Sequence, residues 1–238
     1  MADLGVPKAA RRLWRALAGD STVLSHGTTA VVRGSRYICP PGWTGVVRLG
    51  NAVVIEAGDA NGDVLAILRA LDDPSDPDTV AETLAPTQTR GPGILAYLAD
   101  SGDTPHHRSD PDVVEVPLSA ITEWLDALPQ DDVDESSLRS MDDVVVLTRG
   151  TDIVAAAGHV EWPAAMGHVG VLVAPTARGQ GFGTRMGAVA TRRVLGIGRQ
   201  PQWRAAAGNT ASRRAAQRIG YREVGRQFSF AFGPGNTD

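Results

Sequence analysis

The chain is expected to fold as a mixed α/β protein, and three observations predict it. Short apolar runs such as Val144–Thr148 and Val169–Val173 are bounded by Gly, Pro or Asp and read as strands. Ser119–Leu128 sets Ile121, Trp124, Leu125 and Leu128, and Thr210–Ile219 sets Ser212, Ala215, Ala216 and Ile219, at helical spacing. Beyond residue 112 the elements follow one another as β-α-α-β-β-β-α-β-α-β, which describes a mixed sheet with helices. The composition agrees: 238 residues, 42% hydrophobic and 21% charged, belong to an ordinary globular chain and exclude collagen-like, disordered and disulfide-scaffold classes.

Lys8, Arg11, Arg12 and Arg15 alternate with Leu13, Trp14 and Leu17, an amphipathic helix start and not a signal peptide. Thr44–Leu49 and Ala52–Glu56 are expected as strands around a Gly50-Asn51 turn, and Asp63–Leu68 as a further strand. The breaker-rich Asp72–Asp78 leads into a short helix at Thr79–Leu84, and Ile94–Leu98 reads as a strand. Ser101–Asp112 is the most polar, loop-like stretch and marks the expected boundary between residues 1–111 and residues 112–238. After it come a strand at Val113–Val116 and the helix Ser119–Leu128. Asp134–Met141 is a second short helix, and Ile153–Trp162 completes a hairpin with Val144–Thr148. Then follow the strand Val169–Val173, a helix from about Gly181 to Leu195, and the strand Gln202–Ala206. The helix Thr210–Ile219 and a closing strand at Ser229–Phe232 complete the chain.

Charge and cysteine content narrow the setting. No apolar run approaches the roughly 18 residues of a membrane span. The single Cys39 has no internal disulfide partner, which fits a reducing cytoplasm. Residues 1–177 hold 12 basic and 25 acidic side chains, a net of −13, whereas residues 178–238 hold 11 Arg against Glu223 and Asp238, a net of +9. That asymmetry points either to a polyanion at the C-terminal quarter or to pairing within the fold.

The chemistry concentrates between the strand at Val171-Leu172-Val173 and the helix that follows. Arg178-Gly179-Gln180-Gly181-Phe182-Gly183-Thr184 places glycines at alternate positions where backbone must approach a ligand. A helix start carries free N–H groups and the positive end of the dipole, so the segment suits an anion such as a pyrophosphate. A dinucleotide-binding reading would require an acid about 20 residues on, but residues 199–206 contain none.

Arg178-Gly179-Gln180-Gly181-Phe182-Gly183 resembles the Arg/Gln-x-x-Gly-x-Gly/Ala signature of the GNAT superfamily of acyl-CoA-dependent N-acetyltransferases. The preceding strand, and the later Asn209-x-x-Ser212 with Ile219-Gly220-Tyr221, resemble the family's fourth strand and fourth helix. The likeness covers residues 112–238. Gly198–Trp203 is also similar to a zwittermicin-resistance-type subgroup. The resemblance implies a GNAT-like fold with a central, splayed mixed sheet flanked by helices. Residues 1–111 would then be an accessory α/β domain or a degenerate half of the same fold.

It also implies acetyl-CoA as co-substrate, with no metal. Val171, Leu172 and Val173 would meet the pantetheine arm, and Arg178, Gly179, Gln180, Gly181, Phe182, Gly183 and Thr184 would wrap the pyrophosphate. Asn209 and Ser212 would touch the cofactor, and Arg213, Arg214 and Arg218 would approach its 3′-phosphate. The implied acceptor is an amine, a small molecule rather than a protein, with no nucleic acid and no membrane involved and a homodimer left open. Such an amine, with a pKa near 10.4, must lose a proton before it attacks. Glu161 and His168 are the catalytic candidates, with His159 on the same strand face as Glu161. The family's thiolate-protonating Tyr falls at Ala216, so a non-catalytic acyl-CoA-binding regulatory module is the alternative reading. His106-His107, near Asp103 and Asp110, match no metal-site spacing.

Overall fold

The computed structural model describes residues 6–18, 29–33, 38–58, 62–98, 112–141 and 143–233. The chain forms two units, Met1–Leu95 with Glu223–Asp238, and Ala96–Arg222.

In the first unit the apolar spacing of Ala10, Leu13, Trp14 and Leu17 makes helix α1, Lys8–Ala18, and buries those four side chains. Strand β1, Thr29–Val32, follows; its four residues carry too little pattern to stand out in the sequence. Strands β2, Thr44–Leu49, and β3, Ala52–Glu56, pair antiparallel around the Gly50-Asn51 turn. Asp63–Leu68, expected as a strand, instead lies within helix α2, Gly62–Ala70. Its short run of apolar residues fits either period, and burial decides: Leu65 and Leu68 face the core three residues apart while Ile67 is exposed. Helix α3, Pro77–Leu84, is capped by Asp76, whose carboxylate accepts from the Thr79 N–H. Strand β4 spans Gln88–Leu98 and passes from the first unit into the second.

The second unit continues with β5, Val113–Pro117, and α4, Thr122–Asp126, the latter preceded by a 3-10 turn where a single longer helix was expected. Helix α5 is Gln130–Ser136, earlier than the expected Asp134–Met141, because Ser137 takes a left-handed conformation that stops it. Strands β6, Asp143–Arg149, β7, Asp152–Trp162, and β8, Met166–Val173, form an antiparallel meander with β5. Helix α6, Phe182–Gly196, strand β9, Gln200–Ala206, and helix α7, Thr210–Ile219, complete the unit. The strand order is β9-β8-β7-β6-β5.

Two layers cover this sheet. On one face Ala155, Ala157, Val169, Trp203 and Ala205 pack with Met186, Ala190 and Val194 of α6 and Ala215 and Ile219 of α7. On the other, Val144, Val146, Ala156 and Leu172 pack with Ile121, Leu125, Val133 and Leu138. Strand alternation sets which residue joins which layer.

The last strand, β10, Tyr221–Ala231, is longer than the expected Ser229–Phe232. From Gly225 to Phe230 it pairs antiparallel with β2, which places the chain's end in the first unit, whose strand order is β1-β3-β2-β10. The units therefore divide within β4 and β10, so residues 112–238 do not make up one unit. Residues 101–111 of the expected boundary loop, with His106-His107, lie outside the described residues.

Gly170 in β8 illustrates how tightly α5 sits. A Cβ there would lie 2.0 Å from the Ser136 carbonyl oxygen and 2.7 Å from Met141 Cε. Gly170→Ala is expected to destabilise by about 1–3 kcal/mol, measured by thermal unfolding. Gly196→Ala, where a Cβ meets nothing within 4 Å, should instead leave stability unchanged or raise it by about 0.5–1 kcal/mol.

Candidate active site

Strands β8 and β9 pair in parallel only through Met166↔Gln200, Gly167↔Pro201, His168↔Gln202 and Val169↔Trp203. Past that point Gly170–Val173 on one strand and Arg204 and Ala206 on the other line a cavity of about 730 Å³. The sheet is splayed here, so backbone groups of both strands are turned towards a ligand instead of towards each other.

The end of β8 leads into the glycine-rich loop. Gly179 and Gly181 adopt φ values of 76° and 82°, a region open to glycine at little cost, and no atom lies within 4 Å of where either Cβ would be. Gly181 is the N-cap of α6 and supplies no side-chain cap, so first-turn N–H groups and the helix dipole are left for an anion. Gly181, Phe182, Gly183 and Thr184 line the cavity. Arg178 also lines it and pairs with Asp132 at 2.7 Å.

The facing wall is built by hydrogen bonds. Asn209 caps α7 by accepting from the Ser212 N–H at 3.0 Å, and its Nδ2 donates to both Glu135 oxygens at 3.1 Å. Glu135 Oε1 also accepts from the Ala206 N–H at 2.9 Å, satisfying a strand donor that has lost its neighbour at the splay. Trp203 Nε1 donates to Ser212 Oγ at 3.0 Å. Arg214 and Arg218 line the same cavity. Arg213 does not, and its guanidinium donates to the Ala207 carbonyl.

The cavity thus brings together Val171, Leu172, Val173, Arg178, Gly179, Gly181, Phe182, Gly183, Thr184, Asn209 and Ser212, while Gln180 is absent from its lining. The two acid–base candidates are absent as well. Glu161 is 60% exposed and ion-paired with Arg199. Its strand position puts it on the α6 face, together with His159. His168 is buried on the opposite face. Asp132, Glu135, Ser136, Trp203 and Arg204 line the cavity without having been singled out by spacing. Only the position of Glu135-Ser136-Ser137, next to a helix that borders the site, could have pointed to two of them.

The model of the acetyltransferase (GNAT) domain matches residues 95–222, more than half of the chain and nearly coincident with the second unit. The chain belongs to the GNAT acetyltransferase family. Its fold is similar to that of a GNAT-family protein from Novosphingobium aromaticivorans, with 19% identity, a TM-score of 0.50, and coverage of 63% of this chain and 70% of that one. It is also similar to a GNAT-family acetyltransferase from Colwellia psychrerythraea, with 15% identity and a TM-score of 0.48; the match covers 66% of this chain and spans 62% of that protein's length. No curated protein matches.

Within the GNAT domain Ala216 is buried in the α6–α7 core, while Ser212, one helical turn earlier, lines the cavity. Tyr221 is buried and its hydroxyl lies 2.9 Å from Thr191 Oγ1, a packing role, and burial raises its pKa well above the ordinary range.

Burial pushes the His168 pKa down to about 3, the Arg204 charge lowers it further in kind, and a hydrogen bond to the Gln202 carbonyl opposes both. A neutral imidazole so weakly basic accepts a proton poorly from an ammonium. It also sets a pH dependence. Between pH 6.5 and about 3 the unfolded chain binds a proton at this residue and the folded chain does not, so stability falls as pH falls through that window. His168→Gln is expected to flatten that part of the stability-versus-pH curve, measured by denaturant unfolding at pH 4.5 and pH 7.5.

Proposed function

We propose that the chain transfers an acetyl group from acetyl-CoA to an amine. The observation that carries this reading is the splay of β8 from β9, opening onto the uncapped N-terminus of α6 within one cavity. The Arg178–Thr184 loop would hold the pyrophosphate, with Arg214 and Arg218 available to the 3′-phosphate. Backbone groups of Val171–Val173 would pair with the pantetheine arm as an added strand would, and a strand amide near Val173 would bind the oxyanion.

In the reaction the amine nitrogen bonds to the thioester carbonyl carbon, the carbon–sulfur bond breaks, and the amine proton passes to a base. The cavity-lining carboxylates are Asp132, ion-paired with the Arg178 cation, and Glu135, held only by the neutral donors of Ala206 and Asn209, so Glu135, directly or through water, is the acceptor assigned here. The departing thiolate is met by the Ser212 hydroxyl. Its oxygen already accepts from Trp203 Nε1, which leaves its O–H free to hydrogen-bond the sulfur as it departs, the proton of the free thiol coming from solvent. Ser212 in this way replaces the tyrosine that Ala216 removes. The acceptor is a small-molecule amine.

Acetyl-CoA at about 100 times its Kd should stabilise the protein by about 2.7 kcal/mol, seen as a raised Tm, and Arg178→Ala should reduce that shift. Free thiol released with an amine panel measures transfer. Ser212→Ala is expected to lower kcat by about 10²-fold with a smaller change in the acetyl-CoA KM. Glu161→Gln should keep full activity. A raised Tm with no thiol released on any amine would instead favour a non-catalytic acyl-CoA-binding module.

A further inference from the structure

Arg204 is the first residue of β9 beyond the last parallel pair, Val169↔Trp203, and it lines the cavity at the point where the strands part. Alternation along β9 sends Trp203 and Ala205 into the α6–α7 core and Gln202 and Arg204 to the opposite face. The Arg178–Thr184 loop begins after Val173, four strand residues further along β8, or roughly 13 Å from the apex. The guanidinium is therefore remote from the expected phosphates and next to the expected thioester.

Among the described residues no ion pair or hydrogen bond holds the Arg204 guanidinium; its carbon lies over the Trp162 ring, 5.4 Å from the ring centroid. Burial pushes its pKa below the ordinary guanidinium value, offset in part by Tyr97. The side chain is half-buried and faces the cavity, so a cation held there without a carboxylate is open to pairing with an anionic group of a ligand.

The surroundings are unusually polar for a sheet interior. Gln202 is fully buried and its Nε2 donates to Tyr97 Oη at 2.6 Å, while Gln202 Oε1 and His168 Nδ1 are buried without a hydrogen-bond partner. With the amide turned either way, one polar end of Gln202 remains unsatisfied. An apolar amine or a lone ammonium would leave this cluster incomplete, and an ammonium alone would be repelled by Arg204.

We propose that the acceptor amine carries a carboxylate of its own and that Arg204 binds it. Stacking over Trp162 leaves the guanidinium edge for a planar, two-oxygen anion, which a carboxylate matches. Because Arg204 stands at the apex, the carboxylate is only a few bonds from the attacking nitrogen, as in a free amino acid or a peptide with an acidic first residue. This inference rests on the acetyl-transfer reading.

The test assays thiol release from acetyl-CoA with free amino acids, their methyl esters and their carboxamides, compared at equal free-amine concentration. Peptides beginning with Asp or Glu, against the same peptides beginning with Asn or Gln, separate a free amino acid from a peptide acceptor. Carboxylated acceptors are expected to show kcat/KM about 10–10²-fold above their neutral counterparts. Arg204→Gln should abolish that preference by raising KM, and Arg204→Lys should restore part of it. The acetyl-CoA-induced rise in Tm should persist in both variants, which shows that they fold and retain the cofactor site. Neutral acceptors used as well as charged ones, or a preference that survives in Arg204→Gln, overturns the proposal alone. If no amine in the panel releases thiol, the acetyl-transfer reading falls and this one with it.

Discussion

The early end of the β8–β9 ladder is the constraint on which the second unit's site depends. Four register pairs hold the two strands together, and then the sheet must leave backbone donors and acceptors without strand partners. Buried backbone groups in that state are costly, so each needs a substitute. Glu135 supplies one for the Ala206 N–H, and through Asn209 the same carboxylate fixes the start of α7. Gly170 allows α5 to approach β8 closely enough for this, since any side chain there would strike the Ser136 carbonyl. Splay, capping and close packing are one arrangement: moving α5 outward would release Glu135, Asn209 and the facing wall together.

The charge asymmetry has a divided explanation. Arg178, Arg185, Arg193 and Arg199 of the basic C-terminal quarter pair with Asp132, Asp112, Glu115 and Glu161, all in the acidic segment before it. These pairs are largely exposed and each contributes little, about 0–1 kcal/mol, so they organise the surface more than they stabilise it. Arg204, Arg214 and Arg218 instead line the cavity. Pairing within the fold therefore absorbs part of the excess, and part of the rest faces the cavity where an anion is expected.

The sequence was most legible where local chemistry and period agreed. The alternate glycines of 179–183 marked a loop expected to bring its backbone close to a ligand, and the structure turns there through Gly179 and Gly181, both at positive φ. Strands β6 to β8 and helix α7 were readable because their pattern is long. Helix α2 was not, because six largely apolar residues satisfy both periods and tertiary burial chooses between them. Helix α5 ends early at the left-handed Ser137, a conformation that serine does not advertise. The division of the chain was hidden for a different reason: the pairing of Gly225–Phe230 with Thr44–Leu49 joins segments nearly two hundred residues apart, and no local signal encodes it.

Arg204 and His168 show why the catalytic side was harder to read than the cofactor side. A phosphate loop is contiguous, so its residue types and spacing carry the chemistry. The apex of the splay is assembled from β8, β9 and α5, and its electrostatics arise only once they meet. There burial and the Arg204 charge act together to lower the His168 pKa, which weakens its affinity for a proton in a way that its residue type alone does not reveal. The same cation lowers the pKa of an ammonium brought next to it, because like charges disfavour the protonated form. An amine brought to the apex beside the guanidinium is shifted towards the neutral form that attacks a thioester, and by less the more completely a carboxylate offsets that charge.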